Sequence, residues 1–249
     1  MKFKFNKTKA IKLIKASKDR ESDTVFVPSL GSDATKSIKT MRKFIIKGGY
    51  KDSIEAFFPE DPSAADVDKL VKIIEVKIRA LDIDDLKDLE NIFHLIHLWG
   101  GRAGRGLYQI GRGGFKNNIK DINFYKKLIT STINFKQLDD LIEDIAEFER
   151  NTHQISVAFV TKHIRFFSAL NETYPCIPIY DSVISYNYML KFNKKLNQHI
   201  PIKHPTTTQY PIGKEELAFY WKTMIELSGE YKISLKNLER ILFVNARGK

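Results

Sequence analysis

Apolar residues recur every three or four positions along most of this chain, between residues that start helices and residues that stop them. That recurrence constrains the fold more than any other feature of the sequence. In "SDATKSIKTMRKFIIKGG", Ser32 and Asp33 supply the capping oxygens, and Ile38, Met41 and Ile45 fall on one face before Gly48. In "DPSAADVDKLVKIIEVKIRAL", Asp61 and Pro62 make an ordinary helix entry, and Leu70, Ile73, Ile74, Val76, Ile78 and Leu81 form the apolar stripe. "DIDDLKDLENIFHLIHLWGG" puts acids in its first turn and glycines at its exit, as a helix dipole favours.

Further helices are predicted over 121–132, 135–149, 154–170, 181–193, 214–228 and 234–244. Strand-like alternation is scarce. "DTVFVPSL" is the best short candidate, and Pro28 limits it. The expected fold class is therefore all-α or nearly so. Two segments break the pattern: "GGRAGRGLYQIGRGG" at 100–114 and the proline-containing "QHIPIKHPTTTQYPIGK" at 198–214. The expected organisation is an N-terminal helical region at 1–90, basic and then acidic, followed by a helical catalytic region at 91–249.

Composition narrows the function classes. The 249 residues are 43% hydrophobic, enough to build a core rather than a disordered chain. A single cysteine, Cys176, rules out an internal disulfide framework and any four-cysteine metal site. The basic opening "MKFKFNKTKAIKLIKAS" has no long apolar core and does not read as a secretory signal. No apolar run approaches bilayer length, so the expected location is the cytoplasm. The net charge of +11 is uneven. Residues 1–50 hold thirteen basic and four acidic side chains, a net of +9, and residues 51–100 hold six and twelve, a net of −6. A positive excess of this size favours polyanionic partners through counterion release, nucleic acid first among them.

One stretch carries the chemistry: "TKHIRFFSALNETYPCIPIYDS", residues 161–182. Lys162 sits among Phe159, Val160, Ile164, Phe166 and Phe167 on a largely apolar helix. Desolvation there disfavours the charged ammonium and turns the amine into a nucleophile. Asp181 follows "IPIY" and precedes "SVISYNYML", at what reads as a helix start. A carboxylate so placed caps backbone amides and can face a developing cation. Each residue also has an ordinary role, a snorkelling lysine in one case and an N-cap in the other.

The "TK" at 161–162 and the "IPIYD" at 177–181, nineteen residues apart from lysine to aspartate, resemble the helix-hairpin-helix DNA glycosylases. The likeness is to the 8-oxoguanine glycosylase branch and its prokaryotic members, in which an upstream "WGG" also recurs. One relative of that kind is an anti-phage glycosylase acting on glucosylated hydroxymethylcytosine. The resemblance covers residues 154–190 most closely and reaches more weakly over 95–114 and 236–248. It implies a helical glycosylase fold with an added N-terminal part. It implies that Lys162 attacks C1′ of the deoxyribose and that Asp181 stabilises the sugar's oxocarbenium character, with β-elimination open to the resulting imine. It implies no metal and no organic cofactor. The chain departs from the family where the hairpin usually reads like Leu-Pro-Gly-Val-Gly: "HQISVAFVTK" has no glycine, so a backbone phosphate clamp has to lie elsewhere.

The glycine-rich loop is one place for it. Arg102, Arg105 and Arg112 offer bidentate phosphate contacts, and Trp99, Tyr108 and Phe115 offer rings. A helix, not a strand, precedes this loop and GK[ST] is absent, so it is neither a dinucleotide fingerprint nor a P-loop. His163 and Arg165, beside Lys162, are further candidate DNA contacts. A flipped base needs apolar or aromatic walls, for which Trp99, Phe166, Phe167, Tyr180 and Trp221, together with Tyr186, are candidates. The ordinary reading of aromatics at helical spacing is core. His94 and His97 lie one turn apart with no third ligand in view, and read as plain helix residues. Near the C-terminus, Arg240 and Arg247 can reach phosphate or pair with Glu239.

Together these readings predict a monomeric DNA glycosylase, with or without AP lyase activity, acting on double-stranded DNA with a modified base, in defence against phage among other settings. The alternative is a non-catalytic nucleic-acid-binding helical protein that retains the fold. A nuclease is disfavoured because the clustered carboxylates of two-metal chemistry are missing.

Overall fold

The computed structural model describes residues 2–17, 34–100, 114–151, 157–180, 182–202 and 213–247. It is mostly helical. In chain order the elements are β1 (Phe3–Phe5), α1 (Lys7–Ser17), α2 (Ala34–Lys47), α3 (Asp52–Glu55), α4 (Ala64–Arg79), α5 (Leu86–Gly100), α6 (Gly114–Asn118), α7 (Ile122–Asn134), α8 (Leu138–Arg150) and α9 (Val157–Phe167). A 3-10 turn at Ser168–Leu170 follows, then α10 (Ser182–Tyr188), β2 (Met189–Asn193), β3 (Gln198–Pro201), α11 (Lys214–Tyr231) and α12 (Leu235–Arg247).

The long helices match the periodicity that predicts them. Ile38, Met41 and Ile45 are fully buried, and so are Leu70 and Ile74. Val76 is the exception in its stripe and faces solvent. The start of α4 also shifts inward from Asp61. Ser63 is the N-cap: its hydroxyl accepts from the Asp66 amide, and the Asp66 carboxylate accepts from the Ser63 amide.

Helix α5 lies at the centre. Its residues from Leu89 to Gly100 are all buried, which agrees with an apolar character all round rather than on one stripe. Helices α2, α3 and α4 pack on it from one side and α9 from another. Helix α7 joins α8 and α9, and α11 and α12 close the far side.

The sheet corrects two expectations. The predicted helix 181–193 ends at Tyr188, and the chain continues as β2. Residues 198–201, expected as loop, form β3. The strand order is β1-β2-β3, antiparallel throughout, with Phe3 opposite Lys191 and Phe192 opposite His199. The physical reason is that β2 takes hydrogen-bonding partners from a strand at the start of the chain, which no local pattern in "MLKFN" reveals. Pro201 sits at the end of an edge strand, where its missing N–H costs no ladder bond. The "DTVFVPSL" candidate lies outside the described residues. The N-terminal strand and helix pack on α10, α11 and α12, at the C-terminal end of the chain.

Candidate functional site

Helix α9 carries Lys162 inward. The residue is 5% exposed, and its Nζ lies 4.0 Å from the centre of the Phe159 ring. Such a contact stabilises a cation at the ring face. The end of α5 makes room for it. A Cβ placed on Gly100 would stand 2.9 Å from Phe159 Cε1, 3.2 Å from Lys162 Cδ and 3.3 Å from Lys162 Nζ. The first glycine of the "WGG" is thus the surface over which the lysine side chain runs, a role its sequence context does not announce.

The next residue, His163, turns into the body. Its Nδ1 shares a 3.0 Å hydrogen bond with the Tyr125 hydroxyl, and it is 1% exposed. Burial first, and the charge of Lys162 second, lower its pKa to about 3. His97 stacks between the rings of Phe93 and Phe159, at 4.2 Å and 4.7 Å. Burial holds both His94 and His97 well below the usual histidine range, so these side chains are neutral at pH 7. Among the described residues no group of three or more histidine, cysteine or acidic side chains is placed to hold a metal.

Between Asn171 and Tyr180 the chain is held largely by side chains rather than by secondary structure. Asn171 starts the turn: its Oδ1 accepts from the amides of Thr173 and Tyr174, and its Nδ2 donates to the carbonyls of Ile133 and Phe135. Cys176 adopts a left-handed backbone, φ 62°, a conformation that costs a non-glycine residue about 1 kcal/mol or more. Its amide donates to the Ser168 carbonyl, and the Ile177 amide donates to the Ser168 hydroxyl at 2.8 Å. The Ile179 amide donates to Glu239 Oε1 at 2.7 Å, and the Tyr180 amide to Thr161 Oγ1 at 3.1 Å. Trp221 Nε1 donates to the Pro178 carbonyl and the Tyr220 hydroxyl to the Ile179 carbonyl. Every N–H from 176 to 180 is therefore satisfied, prolines having none, as a buried segment without a ladder requires.

The Thr161–Tyr180 bond has a direct geometric meaning. It joins the residue before Lys162 to the residue before Asp181. Asp181 itself lies outside the described residues, as do Arg102, Arg105, Arg112 and Tyr108. The glycine-free segment at 152–156 does too.

The remaining candidates are placed as follows. Arg165 is buried, and its Nε donates to Glu239 Oε2 at 3.2 Å. Like His163, it faces interior partners rather than a phosphate-lined surface. Glu239 thus pairs with Arg165, a partner 74 residues away. Trp99 and Phe166 meet edge to face at 4.8 Å, and both are buried. Phe167, Tyr180 and Trp221 are buried as well, and the Tyr180 hydroxyl donates to the Glu216 carboxylate. These rings form packed interior around the 176–180 segment. Tyr186 alone of the six is half exposed. Sequence reasoning missed Ser168 and Asn171, and missed the clamping roles of Thr161 and Glu239. Ser168 and Asn171 carry a faint signal, as small polar residues closing an apolar helix, whereas Glu239 carries none.

The chain matches no protein-family model, no curated protein and no solved structure. Among the described residues no helix is long and apolar enough to cross a membrane. Any functional reading therefore stands on the residues themselves.

Proposed function

We propose that this chain is a DNA glycosylase that excises a modified base through Lys162 and Asp181. The observation that carries the reading is the bond from the Tyr180 amide to Thr161 Oγ1, which ties together the immediate chain neighbours of both residues. The burial of Lys162 over Gly100 supports it, because loss of water disfavours the charged ammonium.

In this reading the neutral Lys162 amine attacks C1′ of an extruded deoxyribose. The C1′–N bond breaks, and its electron pair leaves with the base, which takes up a proton. The Lys162 nitrogen then loses its proton, and opening of the sugar ring gives an imine. Asp181, ionised, stabilises the positive charge that builds on the sugar in between. Loss of the 2′ proton from the imine gives β-elimination of the 3′ phosphate, which is the lyase step. The net charge of +11 supports DNA as the partner.

The test is borohydride trapping of the full chain on duplexes that are unmodified, carry 8-oxoguanine, or carry glucosylated hydroxymethylcytosine. A covalent enzyme–DNA adduct is expected on one modified duplex and not on the unmodified one. Lys162→Gln should abolish it, and trapping that survives this substitution overturns the assignment. A second reading, a non-catalytic nucleic-acid-binding protein, is favoured by the cation–π contact of Lys162 with Phe159, which gives the lysine a packing role of its own. DNA binding without any adduct would decide for it.

A further inference from the structure

The sheet exposes what the helical body hides. In an antiparallel sheet directly opposed residues share a face and successive residues alternate. The pairings Lys4 with Leu190, Leu190 with Pro201 and Phe192 with His199 put these five residues on one side. The other side carries Phe3 and Met189, which are buried. Phe192 is 37% exposed and stands 5.2 Å from the His199 ring. At the β2–β3 tip, Lys194, Lys195 and Leu196 all face solvent, Leu196 at 57%. The tip has a fixed shape: Asn193 Oδ1 accepts from the amides of Lys195 and Leu196, and Asn197 takes the left-handed backbone that asparagine tolerates.

The segments that build the sheet and its flanking helices carry charge of one sign themselves. Residues 2–17 and 182–202 contain nine lysines and no carboxylate. Lys2 and Lys7 reach glutamates on α11, but Lys4, Lys12, Lys15, Lys194 and Lys195 are exposed with no acidic partner among the described residues. An exposed ring with a half-buried one beside it, flanked by lysines, suits a strand whose bases are unstacked: the bases have π faces for the rings, and the phosphates take the lysines.

We propose that the outer face of the sheet and the β2–β3 hairpin form a second contact for DNA, one that takes unstacked, single-stranded nucleotides. An unpaired base stacks on Phe192 and His199, and Lys194 and Lys195 meet the backbone. The proposal takes DNA as the partner from the excision reading but does not depend on Lys162 chemistry. The two places are linked by α10, whose seven residues span about 10 Å at 1.5 Å each between position 181 and β2. A strand opened at one can continue to the other.

The test is fluorescence anisotropy of the full chain with labelled 15-nucleotide oligothymidine, against salt. Phe192→Ala is expected to weaken binding about ten-fold, the loss of one stacked base. The double change Lys194→Gln with Lys195→Gln should lower the slope of log affinity on log salt by about 1.4, two single-strand phosphates. Unchanged melting temperatures would show that both variants fold. Affinities and salt slopes within two-fold of the parent in both variants would overturn the proposal. So would tighter binding of oligouridine, or of phosphatidylglycerol vesicles, than of oligothymidine. Oligothymidine binding that depends on Phe192, together with no borohydride adduct on any duplex, would sink the excision reading and leave this one standing.

Discussion

Lysine, histidine and phenylalanine occur close together twice in this chain, with opposite outcomes. On α9 and its neighbours, Lys162, His163 and Phe159 are buried, and the histidine is held neutral. On the sheet and at its tip, Phe192 and Lys194 are exposed and His199 is half-buried. The difference comes from what lies on the other side. α9 runs between α5 and α7, both of which present rings to it, whereas Phe192 on the sheet is open to solvent. Residue type thus decides little by itself. Enclosure makes one trio a candidate reaction centre, and its lack makes the other a candidate contact surface.

The comparison breaks most visibly at its rings. Phe159→Ala should cost about 3–5 kcal/mol, since it removes a buried ring from against His97, Gly100 and Lys162. Phe192→Ala should leave the melting temperature nearly unchanged; equal losses by thermal denaturation would refute the contrast. The acids come next. Glu239→Gln weakens the counter-charge of the buried Arg165 and one clamp on the Ile179 amide, with an expected loss of about 3 kcal/mol. Glu215→Gln, at the solvent-exposed pair with Lys2, should change stability too little to measure by urea titration.

Gly100→Ala sharpens the picture at closer range. The new methyl group meets Phe159 at 2.9 Å, so a loss of about 1–3 kcal/mol is expected, with displacement of the lysine that runs over it. If the excision reading holds, the rate of adduct formation should fall in this variant even at temperatures where it is folded. The effect of acid accumulates gradually with pH. The His163 pKa of about 3 lies below the unfolded value near 6.5, so the unfolded chain binds the extra proton first. The stability contributed by neutral His163 is present above pH 6.5 and is lost as pH falls towards 3, at up to about 1.4 kcal/mol per unit. His163→Phe should flatten the stability profile in that window, as urea titration across pH would show.

The helices were legible because burial repeats with a helix's own period, as Ile38, Met41 and Ile45 show. The sheet was not, although "FKF" at 3–5 does alternate. A three-residue strand is too short to stand out, and its partner lies near residue 190. Lys162 was legible as an odd charge on an apolar helix, whereas Asp181, its proposed partner, lies outside the described residues. The clamps on the chain between them were not legible. Thr161, Ser168 and Glu239 act on backbone amides, and an amide has the same identity at every position. Whether a lone glutamate near residue 240 is solvent-exposed or holds the Ile179 amide depends only on how α12 comes to rest.

Those clamps have a consequence for motion. A connecting segment usually exchanges its amide protons with water quickly, since local opening suffices. The amides of Ile177, Ile179 and Tyr180 donate to side chains on α9, α12 and the 3-10 turn, and none is released unless helices separate. Their deuterium uptake should therefore be as slow as that of the α5 backbone. On the timescale of hours, this irregular stretch belongs to the most rigid part of the molecule.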